Sequence, residues 1–587
     1  SSVVFWGILD LKYDPNAVPE ERVKVLETGD GQSSKFSGYG AAIKQSFEKE
    51  HRLEETIRRA VLTENKKLTH DRIVESGYGH LRPRQAAFAK VYTEDLASRI
   101  ATTMSLGDGD TCILKLCNRT RGAGVIPVVV SDLDATLEVL LNPPKDIEAW
   151  FLEQPEDWAM KVSSGCFEEQ ARHWWSNECP IFVVEDLCLS APTSQGDRSF
   201  DGTMRVGFSL HREIRDRLPD GWLDTPDGPV FVGEDNLEYT EGGSSGSRAK
   251  AAPEIKNWGD ERPYMDLFRA GDSALRVQWL GGYWKLPLED TDSKDLRGKI
   301  VSVAKQGTAP VAEDELVDVY ACLGEMVPLL FSSSGSTSLS HNSLSKRYND
   351  LPEFASFVCS RLAASMRPKD KQKSQSILAL ARAALVKSKE GRPKAACLSY
   401  IERNCGVYEA MHLRWPKAEI AFRKSIEALP TNATSRFLIG TAQLEAGSLQ
   451  VAITFLKQAL LLDPDFKAPY VNLGVAYLRS CEYQKAAEAS RAGLLRHPVT
   501  PQATYNLGLS TFALALADQE AGAEVSSSML RAEALKHMEA AKESRAQGNL
   551  WNEDDQDILE ILQSSEPLRL PKKGPVRDGW RSLNWRP

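Results

Sequence analysis

The feature that most constrains this chain is a 34-residue period in its second half. Glycines stand at Gly406, Gly440, Gly474 and Gly508, alanines at Ala418, Ala452 and Ala486, and prolines at Pro430, Pro464 and Pro498, each set spaced by 34. Small residues at the glycine and alanine positions let two helices pack closely. Proline lacks an N–H and clashes with the preceding turn, so it ends the second helix. Ile439, Leu473 and Leu507 stand directly before three of these glycines and belong to the apolar stripe. A two-helix unit cannot bury such a stripe alone, so the period predicts a stack of units. Residues 398–531 hold at least three repeats and a fourth, which is interrupted near 517–524 before a long helix to about residue 545. Residues 372–389 predict an additional helix pair, and 554–562 a helix that caps the exposed end of the stack.

The pattern resembles the tetratricopeptide (TPR) repeat. The resemblance implies an all-α solenoid whose concave face takes a peptide or helix from a protein partner. A solenoid used as an internal scaffold or for dimerisation fits the same repeats, because the fold specifies a shape and leaves the ligand open.

At 587 residues the chain is too long for one core and divides into roughly three or four units. With 42% hydrophobic and 26% charged residues the composition is that of a globular protein. A net charge of −9 argues against broad nucleic-acid binding. No apolar run reaches the ~20 residues needed to span a bilayer, so no membrane segment is expected. The opening residues lack a basic and then apolar leader, and the first residue is not Met. Ten cysteines without a CxxC pair point to reduced thiols and a cytoplasmic location.

In the first half, residues 3–11 and 23–26 read as strands, followed by a glycine-rich loop and a helix over 41–61. A second helix is expected over 84–103. Residues 111–130 read as a strand, a polar glycine-containing turn and a second strand. Lys115 lies in the apolar run Ile113–Leu114–Leu116 and needs a partner for its charge. The turn supplies Arg119, Arg121, Gly122 and Gly124. Such a hairpin suits a polyphosphate, with backbone N–H groups and cations facing oxygens. It equally describes a surface hairpin with solvated charges. His173-Trp174-Trp175 reads as a substrate wall or as a packed aromatic cluster. Residues 180–187 form a buried-looking strand ending in Glu185 and Asp186. In residues 201–210, Thr203, Arg205 and Gly207 fall on one face and Met204, Val206 and Phe208 on the other.

The order of these parts resembles the ATP-grasp superfamily of carboxylate–amine or carboxylate–thiol ligases. The resemblance covers residues 1–335 and implies an α/β (α+β) nucleotide-binding domain. Lys115 matches the strand lysine, and Arg119 to Gly124, including Arg121 and Gly122, match the phosphate loop. Glu185 matches the acid bordering the adenine. Arg205 matches the cation on the following strand, and Lys285, in the strand over 274–287, a second cation. A helix over 313–326 completes the likeness. ATP and Mg²⁺ are the implied cofactors. The sequence departs from the family after Leu329-Leu330-Phe331, where a Ser-rich run stands in place of the expected metal-holding acids and leaves only Asn342.

The organisation expected is therefore an ATP-grasp-like region at 1–335 with a flexible insertion near 241–253, a linker and helix at 336–371, a TPR solenoid at 372–545, and a cap and tail at 546–587. The tail is basic and carries Trp580 and Trp585. The leading functional expectation is an ATP-dependent ligase acting through an acyl phosphate, with the TPR module recruiting a protein or peptide. The alternative is a non-catalytic nucleotide-binding TPR adaptor or a structural subunit of an assembly.

Overall fold

The computed structural model describes residues 61–571 except 120–121, 156–165, 189, 191, 214–221, 226–227, 232–264, 271–272, 301–306, 325, 328–340, 367–370, 387, 499 and 547–550. The strand, loop and helix expected over 1–60, the insertion at 241–253 and the basic tail beyond 571 lie outside the described residues.

The first half is built on antiparallel pairing. After α1 (Lys66–Ile73) come β1 (Gln85–Ala89), α2 (Leu96–Met104), β2 (Thr111–Leu116), β3 (Ile126–Val129), α3 (Leu133–Leu141), α4 (Ile147–Glu153), α5 (Phe167–Ser176) and β4 (Ile181–Asp186). The strands form one sheet in the order β1-β4-β2-β3. The helix expected over 84–103 is thus replaced in its first part by a strand. The alanine-rich stretch Gln85–Ala89 pairs residue for residue with Ile181–Glu185, and that long-range ladder overrides local helix preference.

The position of β4 explains its continuous apolar run. Phe182 and Val184 face a cluster with Leu114, Leu116, Leu137, Leu140 and Trp174. Ile181 and Val183 face a second cluster with Phe354, Val358, Leu362, Cys397 and Tyr400. The sheet is therefore covered on both sides, and a strand buried on both faces need not alternate. Its second cover comes from far along the chain: α7 (His341–Arg347), α8 (Pro352–Met366), α9 (Lys371–Leu385) and α10 (Arg392–Met411). The stretch expected as linker and helix carries two of these helices and contributes core side chains, Phe354 and Phe357 among them.

A second antiparallel sheet joins β5 (Thr203–Glu213), β6 (Met265–Ala270), β7 (Ser273–Lys285) and β8 (Thr308–Pro310), with β5 and β7 paired along most of their length. The register shifts between Trp279 and Gly282, and Gly281 has φ 90°. A Cβ at Gly282 would lie 2.7 Å from Leu316 of α6 (Glu313–Gly324), so this bulge lets the helix sit close to the sheet. Trp279 stacks on Tyr320 of α6 at 4.6 Å.

The second half is a helical repeat solenoid. α11 (Trp415–Ala428), α12 (Ala433–Glu445), α13 (Leu449–Leu462), α14 (Lys467–Arg479), α15 (Tyr483–Arg496), α16 (Pro501–Glu520) and α17 (Glu524–Ala546) follow α10. First helices begin at 433, 467 and 501, and second helices at 415, 449 and 483, so the structure keeps the 34-residue period. The glycines act where expected. A Cβ at Gly406 would lie 2.4 Å from the Phe422 ring, and one at Gly440 2.9 Å from Leu456. The fourth unit departs as expected: α16 runs on to Glu520 before the turn into α17. The cap is α18 (Glu553–Gln563), which buries Ile558, Leu559, Ile561 and Leu562 and opens with an Asn552–Asp555 capping box. No described helix is long and apolar enough to cross a membrane.

Candidate functional site

The residues singled out for a nucleotide fall into two separate sheets. Lys115 lies on β2 and Glu185 on β4, where Lys115 is opposite Val183 and Ile113 opposite Glu185. This diagonal places both side chains on one face, and the Lys115 ammonium donates to Glu185 Oε2. Gln85 Nε2 donates to Glu185 Oε1 at 2.7 Å, and Arg82 stands at 3.9 Å. Burial pushes the Glu185 carboxyl up, but the charge and hydrogen bond of Lys115, with Arg82 behind, hold it at about 2. The partner that Lys115 requires is thus Glu185 itself.

The glycine turn is also engaged. Gly122 and Gly124 have φ of 77° and 70°. The Gly124 N–H donates to Gln170 Oε1 at 2.8 Å, and its carbonyl accepts from Trp174 Nε1 at 3.0 Å. A Cβ there would lie 2.4 Å from Leu116, so the missing side chain serves helix α5 and strand β2. Arg121 lies outside the described residues. Arg205 and Lys285 sit on the second sheet, Arg205 opposite Tyr283 and Lys285 opposite Thr203, as diagonal neighbours on one face. The structure therefore brings Lys115 to Glu185 and Arg205 to Lys285, in different sheets. The strand lysine and the Gly124 N–H, as arranged here, do not fit a polyphosphate, because both are already bonded within the protein. No reaction step through ATP or Mg²⁺ follows from them. Trp174 and Trp175 belong to a packed cluster: Trp174 lies 5.2 Å from Phe182, and Trp175 donates to Val139 O at 3.0 Å.

A different set of polar groups converges where the first sheet meets the solenoid. Its array side lies on α10 and at the C-terminal ends of three successive second helices, α11, α13 and α15. At the first, Thr431 and Arg392 both donate to the Trp175 carbonyl, at 2.5 and 2.7 Å. Glu178, which is 8% exposed, accepts two bonds from Arg403 at 3.0 and 2.8 Å and one from Asn432 at 2.8 Å. Asn432 is itself tied to Ser399 at 2.7 Å. Arg436 donates to Glu148 at 2.7 Å and lies over the Phe151 ring at 4.6 Å. Two-point arginine–carboxylate bonds fix orientation as well as distance.

At the second and third ends the charges cluster. Arg119 donates to Asp463 Oδ2 at 2.6 Å, and Arg172 to the Leu461 carbonyl at 3.3 Å. Arg496 donates to Asp465 Oδ1 at 2.8 Å and to Glu169 Oε1 at 3.2 Å. His173, fully buried, sits among them, with Nδ1 3.3 Å from Asp463 Oδ1 and Nε2 3.3 Å from Asp465 Oδ2. Burial pushes this imidazole down, but the two carboxylates raise it to about 9. Burial also pushes Asp463 and Asp465 up. Arg119 and His173 overcome it at Asp463, and His173 and Arg496 at Asp465, so both carboxyls stay below the usual range. His173 is conspicuous in sequence beside two tryptophans, and Asp463-Pro464-Asp465 straddles a repeat proline. Their meeting was not legible, because Asp463 lies 290 residues beyond His173 (463 − 173).

No family model matches the chain, and no curated protein matches it. Among solved structures it is similar to a chain titled "Crystal structure of MamA", with 22% identity, a TM-score of 0.23, and coverage of 31% of this chain and 96% of that chain.

Proposed function

We propose that this chain is a protein-interaction adaptor whose repeat array is held in a set orientation by its own mixed α/β half. The observation that carries the reading is the seam. Polar groups from α4, α5, the turn after β2 and the segment before β4 engage the ends of three successive repeats, and Glu169 and Glu178 among them are buried. A solenoid fastened along one edge is a rigid platform, and a preorganised surface loses less entropy on binding a partner. Protein or peptide partners are the expected ligands, taken along the concave face.

The test uses the full chain and a defined peptide panel. Binding with hydrogen-exchange protection along α12, α14 and α16 supports the adaptor. Protection confined to the two sheets overturns it. The ATP-dependent ligase is the second reading. It draws on Lys115 and Glu185 in one sheet and Arg205 and Lys285 in the other, and it requires the Lys115–Glu185 ion pair to open. Millimolar ATP–Mg²⁺ that raises Tm by degrees in the wild type but not in Lys115→Ala favours the ligase, and no shift removes it.

A further inference from the structure

At the charged end of the seam His173 is ion-paired on both sides, but at spacings that are not those of direct hydrogen bonds. His173 is fully buried, yet neither ring nitrogen completes a hydrogen bond, and neither does Asp463 Oδ1. The carboxylates face the ring at 3.3 Å on both sides, longer than the usual 2.9–3.0 Å of an N–H···O bond. One ligand atom each from Glu169, His173 and Asp465 lies within 4.8 Å of the others. His173 Nε2 is 3.3 Å from Asp465 Oδ2 and 4.0 Å from Glu169 Oε1. A tetrahedral ion with ligands at 2.0–2.1 Å separates them by about 3.4 Å along each edge. The spacing is therefore nearer to that of ligands around a small cation than to that of direct bonds.

We propose that Glu169, His173 and Asp465 form a zinc-type divalent metal site that clasps helix α5 to the repeat array. Glu169 and His173 are four residues apart on a ten-residue helix, which puts them on one face. Asp465 comes from the turn between repeats and is 41% exposed, so it supplies both the entry path and room for a water as fourth ligand. Asp463 completes the surroundings. Its Oδ1 faces Nδ1, the ring nitrogen turned away from the ion, as the orienting carboxylate of a metal-bound histidine does. Arg496 shares Glu169 Oε1 with the site and holds the outer oxygen of Asp465. Arg119 holds the outer oxygen of Asp463. An imidazole with two carboxylates suits zinc or a neighbouring transition metal, and does not suit magnesium or calcium.

The test uses the full chain stripped with a chelator and titrated with Zn²⁺, with Co²⁺ as a spectroscopic probe. The expected result is one equivalent bound, a Tm raised by a few degrees, and cobalt d–d bands of tetrahedral type. Asp465→Asn, if folded by circular dichroism, loses all three responses; if it does not fold, Glu169→Gln takes its place. Asp463→Asn keeps every ligand and lowers affinity about 10- to 100-fold. Absence of binding, equal binding by the ligand variant, or a cobalt–thiolate charge-transfer band each overturns the proposal.

Discussion

The interior of the repeat array and the seam beside it are both buried, but they are held by opposite means. Inside the array, contact depends on the absence of atoms: Gly406 lies against Phe422 and Gly440 against Leu456, with Ala418 and Ala452 beside them. Along the seam, contact depends on charges with several bonds each, as at Glu178 with Arg403 and Asn432. A close-packed interior responds to volume. A buried polar network responds to the loss of any one partner, because the remaining charge stays buried and unpaired. This difference teaches where the molecule tolerates change. The array can exchange apolar groups of like size, while the seam can exchange almost nothing.

The largest effect is expected at the seam. Glu178→Ala strands the Arg403 guanidinium, removes one acceptor of the Asn432 amide, and costs about 3–5 kcal/mol. Chemical denaturation followed by fluorescence and by helical circular dichroism should then give two separated transitions as the halves uncouple. A single transition moved by under 1 kcal/mol would break the comparison. Next comes the array: Gly406→Ala puts a methyl against the Phe422 ring, where overpacking costs roughly 1–3 kcal/mol and exceeds the gain in helix propensity. Here the transition should stay single and move to lower denaturant.

The Lys115–Glu185 pair tests whether a buried charge pair in the sheet behaves like the seam. Glu185 falls from its ordinary 4.5 to about 2 on folding, so the folded chain binds fewer protons there than the unfolded chain. Its contribution, roughly 3 kcal/mol, is present above about pH 4.5 and fades as pH drops toward 2. Glu185→Gln should therefore be less stable than wild type at pH 7 and converge with it in acid. A gap that widens on acidification contradicts the assignment. The smallest effect is expected at Val525 and Met529, exposed on α17. Val525→Ser and Met529→Ser should change stability by under ~0.5 kcal/mol, which marks the array's outer surface as separate from its packed interior.

Much of the fold was legible in residue order, for reasons that differ by region. The repeats were readable because helix pairing there is local: Gly440 meets Leu456, only 16 residues away (456 − 440), so spacing carries the contact. Strands β4 and β5 were readable from apolar runs and turns, and the family resemblance marked the stretches of β7 and α6. The stretch Gln85–Ala89 was not, because its strand form depends on pairing with residues near 181–185, about a hundred positions on. At the candidate site, the sequence marked Lys115 as needing a partner and Glu185 as the acid that ends its strand, and left their mutual neutralisation hidden. It marked His173 by its aromatic neighbours, and gave no sign of Asp463 and Asp465 beside it.

What the sequence determined by itself is the 34-residue array with its close glycine contacts, its extended fourth unit and its cap, since each rests on contacts between near neighbours in the chain. What only the tertiary structure decided is how the two halves are fastened. That choice sets Glu178 against Arg403 and His173 between two aspartates, and a charge shows its partner only when distant segments meet.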